Sequence, residues 1–334
     1  MNEEIVYKPI ILGEDGATGE YITWPWFEEQ HSTMTIIGSL NNSPRLKLVD
    51  RIINEIQSQN TNIVFRISNS NKVSGVSVDS DAILWTEKIP DPSEEFEDRD
   101  IFIENRRTFS TSYFNLFAMS KGIKRSELLP NTSYRWHMEG PLNGYQRIIE
   151  NLDDDHPYKL DLMHELEKIS IVPWYKSKEN GAVFQLDQSS KVVNKALSFL
   201  RAVWSFWSII GMLDDEKKIL LTIDVPPEIL DFKLEKDIAE VVSFSFDILR
   251  YLAYETTVAL LISSDMMYPA PEKEIRHKII FNSSEVTDFD LNSEDIKPGI
   301  DPFLFEMWGK GEQTAGIHFD DIIGSQTILI PRID

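Results

Sequence analysis

The sequence predicts an α/β fold: a mainly parallel sheet with helices on both faces and a helical insertion part-way along. Three observations predict it. Short, almost continuously apolar runs alternate with longer amphipathic segments. Three of those runs end in glycine, aspartate or serines. Between residues 121 and 180 the alternation is lost.

In chain order, Ile5 to Leu12 and Tyr21 to Trp24 read as short strands, and Gly13-Glu-Asp-Gly-Ala-Thr-Gly19 between them as a turn. Residues 33–37 read as a buried strand and 45–58 as a helix, because Leu46, Leu48, Val49, Ile52, Ile53 and Ile56 recur at helical spacing. Residues 62–68 form the next strand, Ala82 to Trp85 another, and 101–120 a helix. Helical patterns around 143–152 and 158–169 are bounded by Pro141, Pro157 and Pro173. The alternation then returns with a strand at 182–186, a long buried helix at 190–213 and a strand at 218–224 that ends in Asp224. A helix at 235–254, a strand at 257–263 ending in hydroxyls, and short strands near 278–283 and 326–330 follow. The chain therefore divides into a first part of an α/β core (1–120), a helical insertion or subdomain (121–180), and a second part of the core with a C-terminal segment (181–334).

Its 334 residues are 42% hydrophobic, enough for a real core, and contain no cysteine, which removes disulfides, cysteine zinc sites and cysteine nucleophiles. The first residues show neither a basic region nor an apolar stretch, so no export signal is visible and a cytoplasmic location is expected. Residues 196–213 approach the length of a membrane span, but Arg201, three serines and Gly211 interrupt them, so a helix buried in protein is expected instead. A net charge of −22 disfavours direct nucleic-acid binding, since that affinity rests on displacing counterions with cations. The basic groups Arg106-Arg107, Lys121 to Arg125 and Lys217-Lys218 are small and read as solvated surface. Acidic stretches at Asp91 to Asp100 and Asp153 to Asp155 lack the spacing of a calcium loop. The six histidines show no paired ligand spacing, so no zinc site is expected, and Trp24, Trp26, Trp204 and Trp207 read as core.

Residues 31–50 follow a strand, tight loop and helix layout, the setting in which G-x-x-x-x-G-K-[ST] holds phosphates and magnesium. Gly38 fits the first glycine. Counted from it, the second glycine falls on Ser43, the lysine on Pro44 and the hydroxyl residue on Arg45. Proline brings neither a backbone donor nor a cation. Two readings stand side by side: a phosphate loop that has lost its chemistry, or an ordinary turn in which Ser43 caps the helix and Pro44 opens it. Ligand sites in open parallel sheets lie beyond the C-terminal ends of the strands, where Gly38 to Arg45, Asp224 to Glu228, and Ser263-Ser264-Asp265 fall.

Taken in order, these segments resemble the FtsK/HerA branch of RecA-like P-loop ATPases. Lys8 to Ile22 with His31 to Ser39 is similar to that family's entry strands and phosphate loop. Ala182 to Ser190 resembles the strand before the aspartate strand, Lys218 to Asp224 the aspartate strand and Thr257 to Asp265 the sensor strand. Phe303 to Asp320 resembles a terminal segment of HerA-like chains. The resemblance implies a RecA-like fold. It places a degenerate nucleotide site at Gly38, Ser39, Asn41, Asn42, Ser43, Arg45, Asp224, Glu228 and Ser264, with no catalytic residue and no metal ligand. Val225 stands where a catalytic Glu commonly follows the aspartate, and the family's trans-acting arginine is not placed, since Arg250 and Arg276 read first as surface residues.

The expectation is a catalytically inactive homologue, a pseudo-ATPase acting as a structural or regulatory subunit of a ring or multi-protein complex. It would pair with a protein partner, an intact motor or a nuclease among them, or with copies of itself, and needs no cofactor. One alternative is a divergent active ATPase or DNA translocase subunit that binds ATP and Mg with Arg45 or Lys47 in place of the lysine. Another is an unrelated α/β protein-binding module, which a sheet without 33–37, 219–223 and 257–262 as neighbours would favour.

Overall fold

The computed structural model describes residues 7–28, 32–38, 44–59, 63–69, 77–78, 108, 112, 116, 119–122, 149–150, 152–167, 181, 183–210, 218–231, 233–255, 258–265, 277–281, 313–320 and 324–331. Expectations placed on Ala82 to Trp85, most of 101–120, most of 143–152, the acidic stretch Asp91 to Asp100 and Arg276 lie outside these residues. The chain forms two compact units. The first comprises residues 1–68, 214–232 and 249–334, and the second 69–213 and 233–248.

The first unit is built on a sheet whose strands, in chain order, are β1 (Ile10–Asp15), β2 (Tyr21–Trp24), β3 (Thr33–Ile37), β4 (Ile63–Ser68), β7 (Ile219–Asp224), β8 (Val258–Ser264), β9 (His277–Ile280), β10 (Gln313–Asp320) and β11 (Gly324–Pro331). Across the sheet they run β2-β1-β11-β10-β9-β3-β8-β7-β4. From β9 to β4 every neighbouring pair is parallel, and from β2 to β9 every pair is antiparallel. The fold is thus α/β with a parallel core. Strands 33–37, 258–264 and 219–224 are consecutive neighbours, the arrangement the sequence reading required. Both faces of the parallel strands are buried, which is why Met34-Thr-Ile-Ile37, Ile219-Leu-Leu-Thr-Ile223 and Val258-Ala-Leu-Leu-Ile262 read as continuous apolar runs.

Helix α1 (Pro44–Ser58) covers one of those faces. Its Leu48, Val49, Ile52, Ile53 and Ile56 join Met34, Ile36, Val64, Leu220 and Leu261 in a single buried cluster with Ile10, Leu12, Ile22 and Trp24 of the first hairpin. Arg51 on the same helix donates to the carbonyl oxygens of Ile11 and Leu12, which ties the hairpin to the helix.

Two parts of the first unit correct the sequence reading. Strand β1 starts at Ile10 and runs through Gly13, which lies beside a register shift in the β1–β2 pairing rather than in a turn. A Cβ on Gly13 would stand 2.5 Å from the Leu329 carbonyl oxygen, so glycine is required there by close approach. Strand β10, not expected from the sequence, pairs with β9 and with the whole of β11. On it, His318 and Asp320 are buried with His277 of β9. His277 Nδ1 lies 3.3 Å from His318 Nε2 and 3.6 Å from Asp320 Oδ2. The two rings are nearly parallel, 5.5 Å apart at their centroids, close to the N···N distance plus both ring radii. The nitrogens therefore face each other along one line, the geometry of an N–H···N hydrogen bond in which one carries the proton.

In the second unit, β5 (Ser77–Val78) pairs in parallel with β6 (Val183–Gln185), and helices α2 (Lys159–Glu167) and α3 (Val192–Ile210) are described. Helix α3 is the expected buried helix. Phe199, Leu200, Val203 and Phe206 are buried together with Ser198, Arg201 and Ser205, so no side of its middle faces water. Ser198 Oγ accepts from the Asp187 amide, anchoring the segment before the helix. The fourth helix, α4 (Lys236–Glu255), begins in the second unit and ends in the first. No helix of the described residues is long and apolar enough to cross a membrane.

Candidate functional site

Parallel pairing puts the C-terminal ends of β3, β8 and β7 side by side. Ile37 stands opposite Ser264, and Ser263 opposite Asp224. The ladder continues past the strands: the Gly38 amide donates to the Ser264 carbonyl at 3.0 Å and the Val225 amide to the Ser263 carbonyl at 2.9 Å. Polar groups that lie more than two hundred residues apart in the chain thereby meet at one rim. A Cβ on Gly38 would sit 3.0 Å from Phe281 Cβ and 3.7 Å from Arg45 Cβ. Close approach of Phe281 therefore favours glycine at this strand end.

Helix α1 opens at Pro44, whose fixed φ suits a first helical position, and Arg45 is its second residue. Arg45 is 1% exposed. Its Nη1 lies 2.8 Å from Asp265 Oδ1 and its Nη2 lies 3.6 Å from Asp224 Oδ1. The 2.8 Å contact is close but off the donor direction, so it acts as a Coulombic pair more than as an aligned hydrogen bond. Burial pushes the Arg45 guanidinium below its ordinary pKa, while Asp265 and then Asp224 pull it back up. The arginine stays charged, because its starting value is far above neutrality. One buried cation thus serves two partly exposed carboxylates at adjacent strand ends.

Of the residues singled out in the sequence, Gly38, Arg45, Asp224 and Ser264 come together at this rim. Ser264 is fully buried. Glu228 lies in the short 3-10 turn Pro227–Ile229 that follows Asp224. Ser39, Asn41, Asn42 and Ser43 lie outside the described residues. Lys47 is exposed on α1, and Arg250 is half-buried on α4. The sequence reading placed Asp265 at the strand end without assigning it to the site. The available signal was the pairing need of an arginine just inside a helix with an apolar inner face, next to a glycine-ended strand. Among the described residues no group of three side chains has the arrangement of a metal site.

No family model and no curated protein matches the chain. Among solved structures it is similar to the cytoplasmic domain of the Thermomonospora curvata type VII secretion ATPase EccC, with 10% identity and a TM-score of 0.40, covering 97% of this chain and 28% of that one. It is also similar to a DnaB-like replicative helicase studied with its primase, with 10% identity and a TM-score of 0.34, covering 92% of this chain and 56% of the helicase. The chain thus spans less than two thirds of the length of either neighbour.

Proposed function

We propose that the chain is a catalytically silent relative of the FtsK/HerA-like ATPases that serves as a structural or regulatory subunit of a larger assembly. Its parallel core supports the RecA-like part of this reading, because the sensor-type strand β8 lies between the loop strand β3 and the aspartate strand β7. The observation that carries the silent part is Arg45. Its guanidinium stands beside Asp224, the carboxylate a magnesium ion would use, and is paired with Asp265, so it is not positioned to clasp a phosphate. An ion held by Asp224 would therefore have to displace the buried Arg45 guanidinium beside it, which supports a silent site. The active alternative, with Arg45 or Lys47 replacing the lysine, is disfavoured for Arg45 by its ion pairs and rests on Lys47, which is exposed on α1.

Calorimetric titration with ATP and magnesium tests this. No heat at millimolar nucleotide and no phosphate release are expected. ATP turnover that disappears in Asp224→Ala would overturn the proposal.

A further inference from the structure

We infer that the free edge and outer face of the β1–β2 hairpin form a docking surface for a short, basic, extended segment of a partner protein, added as a strand beside β2. Strand β2 is the last strand of its sheet among the described residues. Ile22 and Trp24 point into the core, so Tyr21 and Thr23 face outward. Ile11, opposite Thr23 on β1, shares that outer side. Tyr21 is 66% and Ile11 43% exposed, and they are two of the four large apolar side chains exposed among the described residues. An exposed apolar pair on one small patch beside an open edge is the arrangement used for strand addition, in which main-chain hydrogen bonds supply affinity and alternate side chains supply selectivity. Edge strands are ordinarily blunted by lysine, inward charge or proline, and Tyr21-Ile-Thr-Trp24 contains none of these. Pro25 closes the edge after four residues, which limits the occupant to a short segment.

Charge decides between occupants. Glu14 stands opposite Tyr21, and Asp15 and Glu20 flank it across the turn. A second copy brings a net charge of −22 against the same carboxylates, and a nucleic acid brings phosphates. A lysine- or arginine-bearing strand with β-branched residues between its cations matches both the apolar pair and its acidic border.

The test uses the full chain and a short peptide alternating lysine and valine, with a glutamate–valine peptide as control, at near-physiological salt. The lysine peptide is expected to slow amide exchange at Tyr21 and Thr23, whose main-chain groups face away from β1. Tyr21→Asp is expected to weaken its binding about tenfold, although it adds an acidic charge. Because Tyr21 is exposed, this variant keeps the fold, which an unchanged urea midpoint verifies. Absence of protection at β2, or binding that Tyr21→Asp leaves equal or tightens, marks non-specific attraction and overturns the inference. So does a concentration-dependent dimer that Tyr21→Asp dissociates, since the edge would then be taken by a second copy.

Discussion

Arg45 sits where the helix after β3 begins, and its charge is stable in the interior only because Asp224 and Asp265 stand beside it. Breaking a buried pair from one side leaves the other side uncompensated, which typically costs about 3–5 kcal/mol, and the partial exposure of both aspartates places this site at the low end. Arg45→Ala is expected to lower the unfolding free energy by roughly 3 kcal/mol in urea. Arg45→Lys should recover only part of that, because a single ammonium does not span two carboxylates as a planar guanidinium does. A double-mutant cycle of Arg45→Ala with Asp265→Asn should give a coupling of about 1–2 kcal/mol, and a coupling of zero would remove the ion pair from the account. Gly38, Arg45 and Asp224 were legible in the sequence through spacing and strand pattern. The pairing with Asp265 was not, because it depends on the β3–β8–β7 register, and a strand's register follows from its neighbours rather than from its own residues.

Strand β10 shows how an element escapes a sequence reading. Of its residues whose burial is described, Gly316, His318 and Asp320 are buried, so on that side the interior positions carry glycine and polar residues instead of the apolar ones a sequence pattern looks for. Gly316 is there because a Cβ would come within 3.2 Å of the Ile280 carbonyl oxygen, and the two polar residues are there as partners of His277. Strands β3, β7 and β8 were legible for the opposite reason, since burial on both faces leaves an unbroken apolar run. The β9–β10 pair also carries a pH dependence. Burial lowers the His318 pKa from 6.5 to about 4, with Asp320 opposing the shift. The folded state therefore binds fewer protons than the unfolded one. The stability it contributes is complete above 6.5 and is lost as the pH falls from there through about 4. At about 1.4 kcal/mol per unit of pKa difference, the loss amounts to roughly 3 kcal/mol. Urea midpoints measured across that window should fall in the native chain and fall much less in His318→Asn. Equal acid sensitivity in the two proteins would assign the effect to other groups.

At the scale of the whole molecule, the chain visits the two compact units alternately, entering the first three times and the second twice. Several pairings in the first unit's sheet join strands far apart in the chain. β3 and β4 are separated by β8 and β7, and β1 pairs with β11 from the far end of the chain. Loop closure of this length must precede any reward from the central pairings, so the unit gains little stability until its last strands arrive. A fragment of residues 1–213 tests this directly. It lacks every strand from β7 onward, and of the pairings in the first unit's sheet only β1–β2 survives. An isolated two-stranded hairpin is marginal in water, and the apolar faces of α1 and β3 would lose the partners that now bury them. In that fragment the amides of residues 7–68 are expected to show collapsed dispersion and no protection against exchange, whatever the retained residues 69–213 of the second unit do. Native-like protection of β3 and α1 in that fragment would mean that the central parallel strands are not what the first unit's stability rests on.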